Sequence, residues 1–132
     1  MDMKDEPTLD DLLPLPPATL HILLALAETE RHGYAIMHDV EARTDGELRL
    51  SAGTLYRSIA RMVEQGLIVE VARRRSATDD ERRRYYKITP NGRGHLKKAK
   101  IQMMELIGEI LTKQEFEQLS ASFFRQHKIR LP

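Results

Sequence analysis

Cysteine is absent from the chain, which excludes disulfides and thiolate metal sites and is compatible with a cytoplasmic location. Any run of about 18 apolar residues is equally absent, so no helix is expected to cross a membrane. The amino terminus is acidic and lacks the basic-then-apolar order of a secretory signal, so export is not expected. Histidines stand at 21, 32, 38, 95 and 127 and never at the i, i+4 spacing that sets two ligands on one helical face, so no metal is expected. No nucleophile–base pair or glycine-rich phosphate loop is legible, so neither catalysis nor a cofactor is indicated. What remains, at 132 residues, is one domain with room for a real core and a helical extension.

An excess of charge is also missing: the formal total is +1. Its distribution is far from even. Residues 1–13 hold Asp2, Asp5, Glu6, Asp10 and Asp11 against Lys4, a net of −4. Residues 73–87 hold Arg73, Arg74, Arg75, Arg82, Arg83, Arg84 and Lys87 against Asp79, Asp80 and Glu81, a net of +4. A positive charge concentrated in one short stretch points to a polyanionic partner. The three acids inside it temper repulsion among the arginines; the alternative, a metal-binding acid cluster, needs ligands from elsewhere.

The most informative stretch is Ser51 to Gly66. Ser51 suits a helix N-cap, and Gly66 followed by Leu67 suits a helix C-terminus. Between them Leu55, Ile59, Met62 and Val63 form one apolar stripe. The opposite face carries Thr54, Arg57 and Arg61, with Gln65 flanking and Tyr56 at the border. Hydroxyls, guanidinium groups and an amide are the side chains that reach phosphates and base edges from a major-groove helix. The bland alternative is a plain solvated face.

Around this helix the order of elements is legible. An acidic, Pro-punctuated extension (1–15) leads to a helix over 17–29 with Leu20, Leu23, Leu24 and Ala27 toward the core. Arg31 to Tyr34 interrupts it, and a second helix over 33–43 is predicted with Tyr34, Met37 and Val40 inward. Leu67 to Arg73 and Arg84 to Thr89 read as two strands of a hairpin, with Arg74 to Arg83 as its tip. Tyr85 and Tyr86 alternate across the second strand, one expected in the core and one on the surface. A hairpin needs support, and packed on three helices it gives a mainly α (α+β) winged helix-turn-helix over residues 16–89 with a two-stranded wing. Thr89 and Pro90 then open a helix to about Leu111. Leu96, Ala99, Met103, Leu106 and Ile110 fall at heptad spacing, with Ile107 and Leu111 widening the stripe. Thr112 and Glu115 form a capping box for a last helix with Phe116, Leu119, Phe123 and Phe124 on one side. Residues 90–132 are therefore the expected dimerisation region.

The chain resembles the PadR family of bacterial transcriptional regulators from about Leu20 to Lys98. The resemblance rests on His32-Gly33-Tyr34 with Ile36, Leu50-Ser51, Gly53-Thr54-Leu55-Tyr56, Met62 to Ile68, and Arg84-Tyr85-Tyr86 with Thr89 and Gly92. Where the family usually has proline after the Leu-Tyr pair, this chain has Arg57, which favours the helix. The resemblance implies a homodimeric repressor binding a palindromic operator in double-stranded DNA, and a C-terminal part too short for a separate effector domain. Ser51, Thr54, Tyr56, Arg57 and Arg61 are then the candidate groove residues. Arg73, Arg74, Arg75, Arg82 and Arg83 are the candidate wing clamps. Leu96, Ala99, Met103, Leu106, Ile107 and Ile110 are the candidate dimer interface, and Met103, Met104, Leu106 and Ile107 a candidate lining for a small hydrophobic effector. A winged-helix module that binds another protein is the second reading.

Overall fold

The computed structural model describes residues 15–72 and 83–127. The acidic extension up to residue 14, the tip with Arg73, Arg74, Arg75 and Arg82, and the tail from Lys128 lie outside these residues. The elements in chain order are α1 (Pro17–Glu28), β1 (Arg31–His32), α2 (Gly33–Arg43), α3 (Ala52–Glu64), β2 (Ile68–Val71), β3 (Tyr85–Ile88), α4 (Pro90–Ile110) and α5 (Lys113–His127). The fold is mostly helical with one small antiparallel sheet, the architecture of a winged helix.

Helix α1 begins on Pro17 and is the axis of the core, touching α2, α3, α4 and β3. Enclosure on so many sides explains a departure from the sequence pattern. The structure buries Ile22, Leu23, Ala25 and Leu26, and leaves Leu20, Leu24 and Ala27 half-buried. These residues meet Ile36 and Val40 from α2, Leu55, Ile59 and Met62 from α3, and Ile68, Tyr86 and Ile88 from the sheet. Each fully buried isoleucine, leucine, valine or methionine among them contributes roughly 1.5–3 kcal/mol. Two expected core residues are corrected. Tyr34 is 62% exposed, because Gly33 and Ile36, not Tyr34, face α1 and α3. Val63 is exposed at the edge of the α3 stripe, where Met62 already fills the contact.

The sheet has three strands, not two, in the order β1-β3-β2. Strand β1 pairs Arg31 with Tyr86 and His32 with Tyr85, covering the edge of β3 that a simple hairpin would leave open. Both tyrosines are consequently buried, correcting the expected alternation. Tyr86 joins the core, and Tyr85 meets the His32 ring edge-on at 5.4 Å. His32 also caps α2, its Nδ1 accepting the Ala35 N–H at 3.2 Å.

Four charges tie α1 to α2. Arg31 and Arg43 each pair with both Glu28 and Asp39, and Arg31 Nε also donates to the Ala25 carbonyl at 2.9 Å. His21 lies near this network, with a buried Nδ1 that has no hydrogen-bond partner among the described residues. Burial, and then the nearby Arg43 charge, hold its pKa below the usual histidine range.

Candidate nucleic-acid interface

Helix α3 is set by its two ends. At the start, Ser51 Oγ accepts the Thr54 N–H at 3.2 Å. At the finish, the Leu67 N–H reaches the Met62 carbonyl (2.9 Å) and the Gly66 N–H the Val63 carbonyl (3.0 Å), the pairing of a Schellman turn. Gly66 has φ +75°, a left-handed conformation that favours glycine. Both caps stand where the sequence places them.

The outward face follows from the buried one. With Leu55, Ile59 and Met62 against the core, Ser51, Gly53, Tyr56, Arg57, Ala60 and Arg61 are exposed and Thr54 is half-buried. Ser51 Oγ donates to Thr54 Oγ1 at 3.0 Å, and Arg57 Nη2 reaches the same oxygen at 3.5 Å. One cluster at the helix start therefore offers hydroxyl and guanidinium donors beside the positive end of the helix dipole. Ala52, Gly53 and Ala60 add little bulk between the longer side chains, so a partner surface can approach the backbone of α3 closely. Sequence reading by side-chain chemistry passes over such small residues.

Tyr56 leaves this face toward α2. Its ring lies over Gly33, where an added Cβ would sit 2.7 Å from the phenol oxygen. Sequence inspection names both residues but not this contact. Beside it, Tyr34 and His38 form an exposed edge-on ring pair at 4.5 Å.

Of the wing, the structure describes Arg83, Arg84 and the strands. Both arginines are exposed, and Arg84 Nε stands 3.9 Å from Glu70 on the neighbouring strand, an ion pair of small energetic weight. Lys87 is also exposed on β3. Burial, reinforced by the Glu70 carboxylate, raises the Tyr86 pKa, so that phenol stays neutral beneath the wing.

The end of α3 is latched to α4. Thr89 Oγ1 donates to the Gly66 carbonyl at 2.6 Å and accepts the Gly92 N–H at 3.0 Å, capping α4. Asn91 Nδ2 points to the same Gly66 carbonyl at 3.4 Å. Gly92 is needed because a Cβ there would lie 2.1 Å from the Leu67 carbonyl oxygen.

Farther along, α4 changes character. Leu96 is half-buried against the core and Ala99 is buried within the protomer, so the free part of the expected seam starts later. Met103 is half-buried, whereas Ile101, Met104, Leu106, Ile107 and Ile110 are exposed, Ile110 to 77%. Helix α5 opens with the reciprocal Thr112–Glu115 capping box. Phe116, Leu119 and Phe123 share one side of it and enclose with Ile107 an apolar cleft of about 240 Å³. The Phe124 side chain lies outside the described part. No described helix is long and apolar enough to cross a membrane.

Residues 22–98, more than half of the chain, match the family of PadR-like transcriptional regulators. The chain is 35% identical over 92 residues to the transcriptional regulator Rv3488 of Mycobacterium tuberculosis, covering 70% of this chain and 80% of that protein. A transcriptional regulator from Clostridium thermocellum superposes with a TM-score of 0.58 at 30% identity, over 73% of this chain and 87% of that one. A PadR family transcription regulator from Clostridium difficile does so with a TM-score of 0.56 at 28% identity, over 70% and 92%. By the match over residues 22–98 and the 35% identity to a transcriptional regulator covered over 80% of its length, this chain belongs to the PadR-like family of transcriptional regulators.

Proposed function

We propose that the protein is a homodimeric repressor that reads a palindromic operator in duplex DNA with two copies of α3. The observation that carries this reading is the outer face of α3, where Ser51, Thr54, Arg57 and Arg61 stand on a helix fixed at both ends. Arg57 and Arg61 serve mainly at phosphates, where they set position. Ser51 and Thr54, at the helix start, are within reach of base edges. Tyr56, seated on Gly33, borders the groove, while Arg83 and the wing arginines 73–75 and 82 clamp the adjacent backbone or minor groove.

The second copy docks through the apolar residues that α4 and α5 leave uncovered. Met103, Leu106, Ile107 and Ile110 form its centre, with Leu96 and Ala99 supporting the seam from inside the protomer. To read two successive major grooves, the twofold pair must hold its α3 helices roughly 34 Å apart, one turn of duplex. A small hydrophobic effector bound near Met103, Met104, Leu106 and Ile107 would act by changing the angle between the two wings. The Thr89–Gly66 latch gives α4 a rigid hold on α3 for that purpose. The protein then acts in the cytoplasm, where its operator is.

The test is a footprint of purified protein on the DNA upstream of its own gene, at two salt concentrations. Two protected patches one helical turn apart, weaker at the higher salt, are expected. A partner bound independently of salt, with no protected DNA, would instead favour a protein-interaction module.

A further inference from the structure

The cleft beside Arg61 is larger than the one between α4 and α5, and it runs from the edge of the DNA-reading face, which Arg61 shares, toward the start of α1. It measures about 540 Å³ and lies between the start of α1, α3 and the start of α4. One wall is polar, made by Ser58 and Arg61 of α3, its C-cap Gln65, Thr19 of α1 and His95 of α4. The other is apolar, made by Leu15, Ala18 and Leu67. Among the described residues Arg61 has no ion-pair partner. The cleft therefore suits a ligand that is anionic on one side and aliphatic on the other.

The chain itself carries such a ligand, joined directly to the rim. Leu15 lines the cleft, and the residues before it include Asp5, Glu6, Asp10 and Asp11 together with Leu9, Leu12 and Leu13. Thirteen residues reach at most about 43–47 Å when extended. Helix α3, with 13 residues, is only about 20 Å long. The segment is long enough to lie in the cleft and continue along the face that holds Arg57. Its net charge of −4 opposes the arginines of that face. Tethering also supplies an effective concentration on the order of millimolar.

We propose that the acidic amino-terminal segment docks in this cleft, Leu12 and Leu13 on its apolar wall and Asp10 and Asp11 toward Arg61, and so competes with DNA phosphate for α3. The segment is an intramolecular stand-in for the nucleic-acid backbone, and binding to duplex requires its release. The competition rests on the DNA-binding reading above; the docking does not.

The experiment uses full-length chains and two variants. In one, Asp5, Glu6, Asp10 and Asp11 become Asn, Gln, Asn and Asn. In the other, Leu12→Ser and Leu13→Ser leave the charge unchanged. Nitrogen–proton spectra without DNA report docking directly. Both variants should shift the Ser58, Gln65 and Leu67 amides, independently of protein concentration. Anisotropy with a mixed-sequence 30-base-pair duplex reports competition. At about 50 mM salt the Leu12→Ser/Leu13→Ser chain should bind about fivefold more tightly than the parent, corresponding to a segment docked about 80% of the time. The gap should narrow as salt rises and the attraction is screened. Unmoved cleft amides would overturn the docking. Shifts confined to Lys98 and Gln102, or dependent on concentration, would assign the segment to the other side of Leu15 or the cleft to a second copy, and also overturn it. Shifted amides with equal duplex affinities would overturn the competition. If no chain bound duplex at all, the DNA reading would fail while the spectra still decided the docking.

Discussion

Helices α3 and α4 are both half-buried against the same core, yet their free faces ask for opposite partners. The free face of α3 is hydroxyl, guanidinium and small side chains. Beyond Met103 the free face of α4 is isoleucine, leucine and methionine, continued on α5 by Leu119 and Phe123. Water solvates the first readily, but leaving the second in water forfeits roughly 25 cal/mol for each Å² that a partner could cover. The lesson is that a solvated face and an unfinished one are distinguished by what they would gain from a partner: charge neutralisation for α3, apolar burial for α4.

The largest effect should come from charging the unfinished face. Leu106→Asp with Ile110→Asp introduces each change twice across a twofold interface. If each lost contact costs about 1.5 kcal/mol, dimerisation falls by more than a thousandfold. Sedimentation should then show a folded monomer; an unchanged particle mass would remove this face from the interface.

Next is the latch that joins the two faces. Gly92→Ala drives a Cβ into the Leu67 carbonyl, where backbone must move, and should cost about 1–3 kcal/mol, read as a lowered Tm. By contrast the atoms nearest a Cβ in Gly33→Ala belong to the outer end of the half-exposed Tyr56 ring, a side chain that can swing away where backbone cannot. It should leave Tm within a few degrees, since a neutral adjustment stays near ~0.5 kcal/mol. Equal losses for the two glycines would contradict the contrast.

On the α3 face, Arg57→Ala and Arg61→Ala should each weaken binding to all duplexes and reduce the salt slope by about one unit. Thr54→Ala should instead reorder preference among sites. An unchanged ranking would remove Thr54 from base readout.

The smallest effect is on stability against pH. The folded pKa of His21 lies below its ordinary 6.5, so the unfolded chain takes up the proton first as pH falls. Stability is then full above about 6.5 and declines from there toward the folded value. His21→Gln should flatten that part of the Tm-against-pH curve relative to the parent. A parallel curve would assign the slope to other groups.

How much of this was legible beforehand depends on how local the cause is. The caps at Ser51, Gly66, Thr89 and Thr112 were readable because a few neighbouring residues determine them. The exposed arginines of α3 were readable because the apolar stripe defines the opposite face. Strand β1 was not, since two residues show no period. Without it nothing in Tyr85-Tyr86 indicates that both rings are covered. Ala99 fits a heptad seam perfectly well by spacing, and only the packing within the protomer withdraws it from the surface. Tyr56 was named for its place on the helix, whereas its seat on Gly33 depends on how α2 crosses α3.

The most direct measurement is a titration of purified protein against its footprinted site across a salt series, with stoichiometry determined. The account predicts two chains per site and, if about six to ten phosphates are neutralised, a slope of log K on log salt near −5 to −9. One chain per site, or a slope near zero, would contradict it.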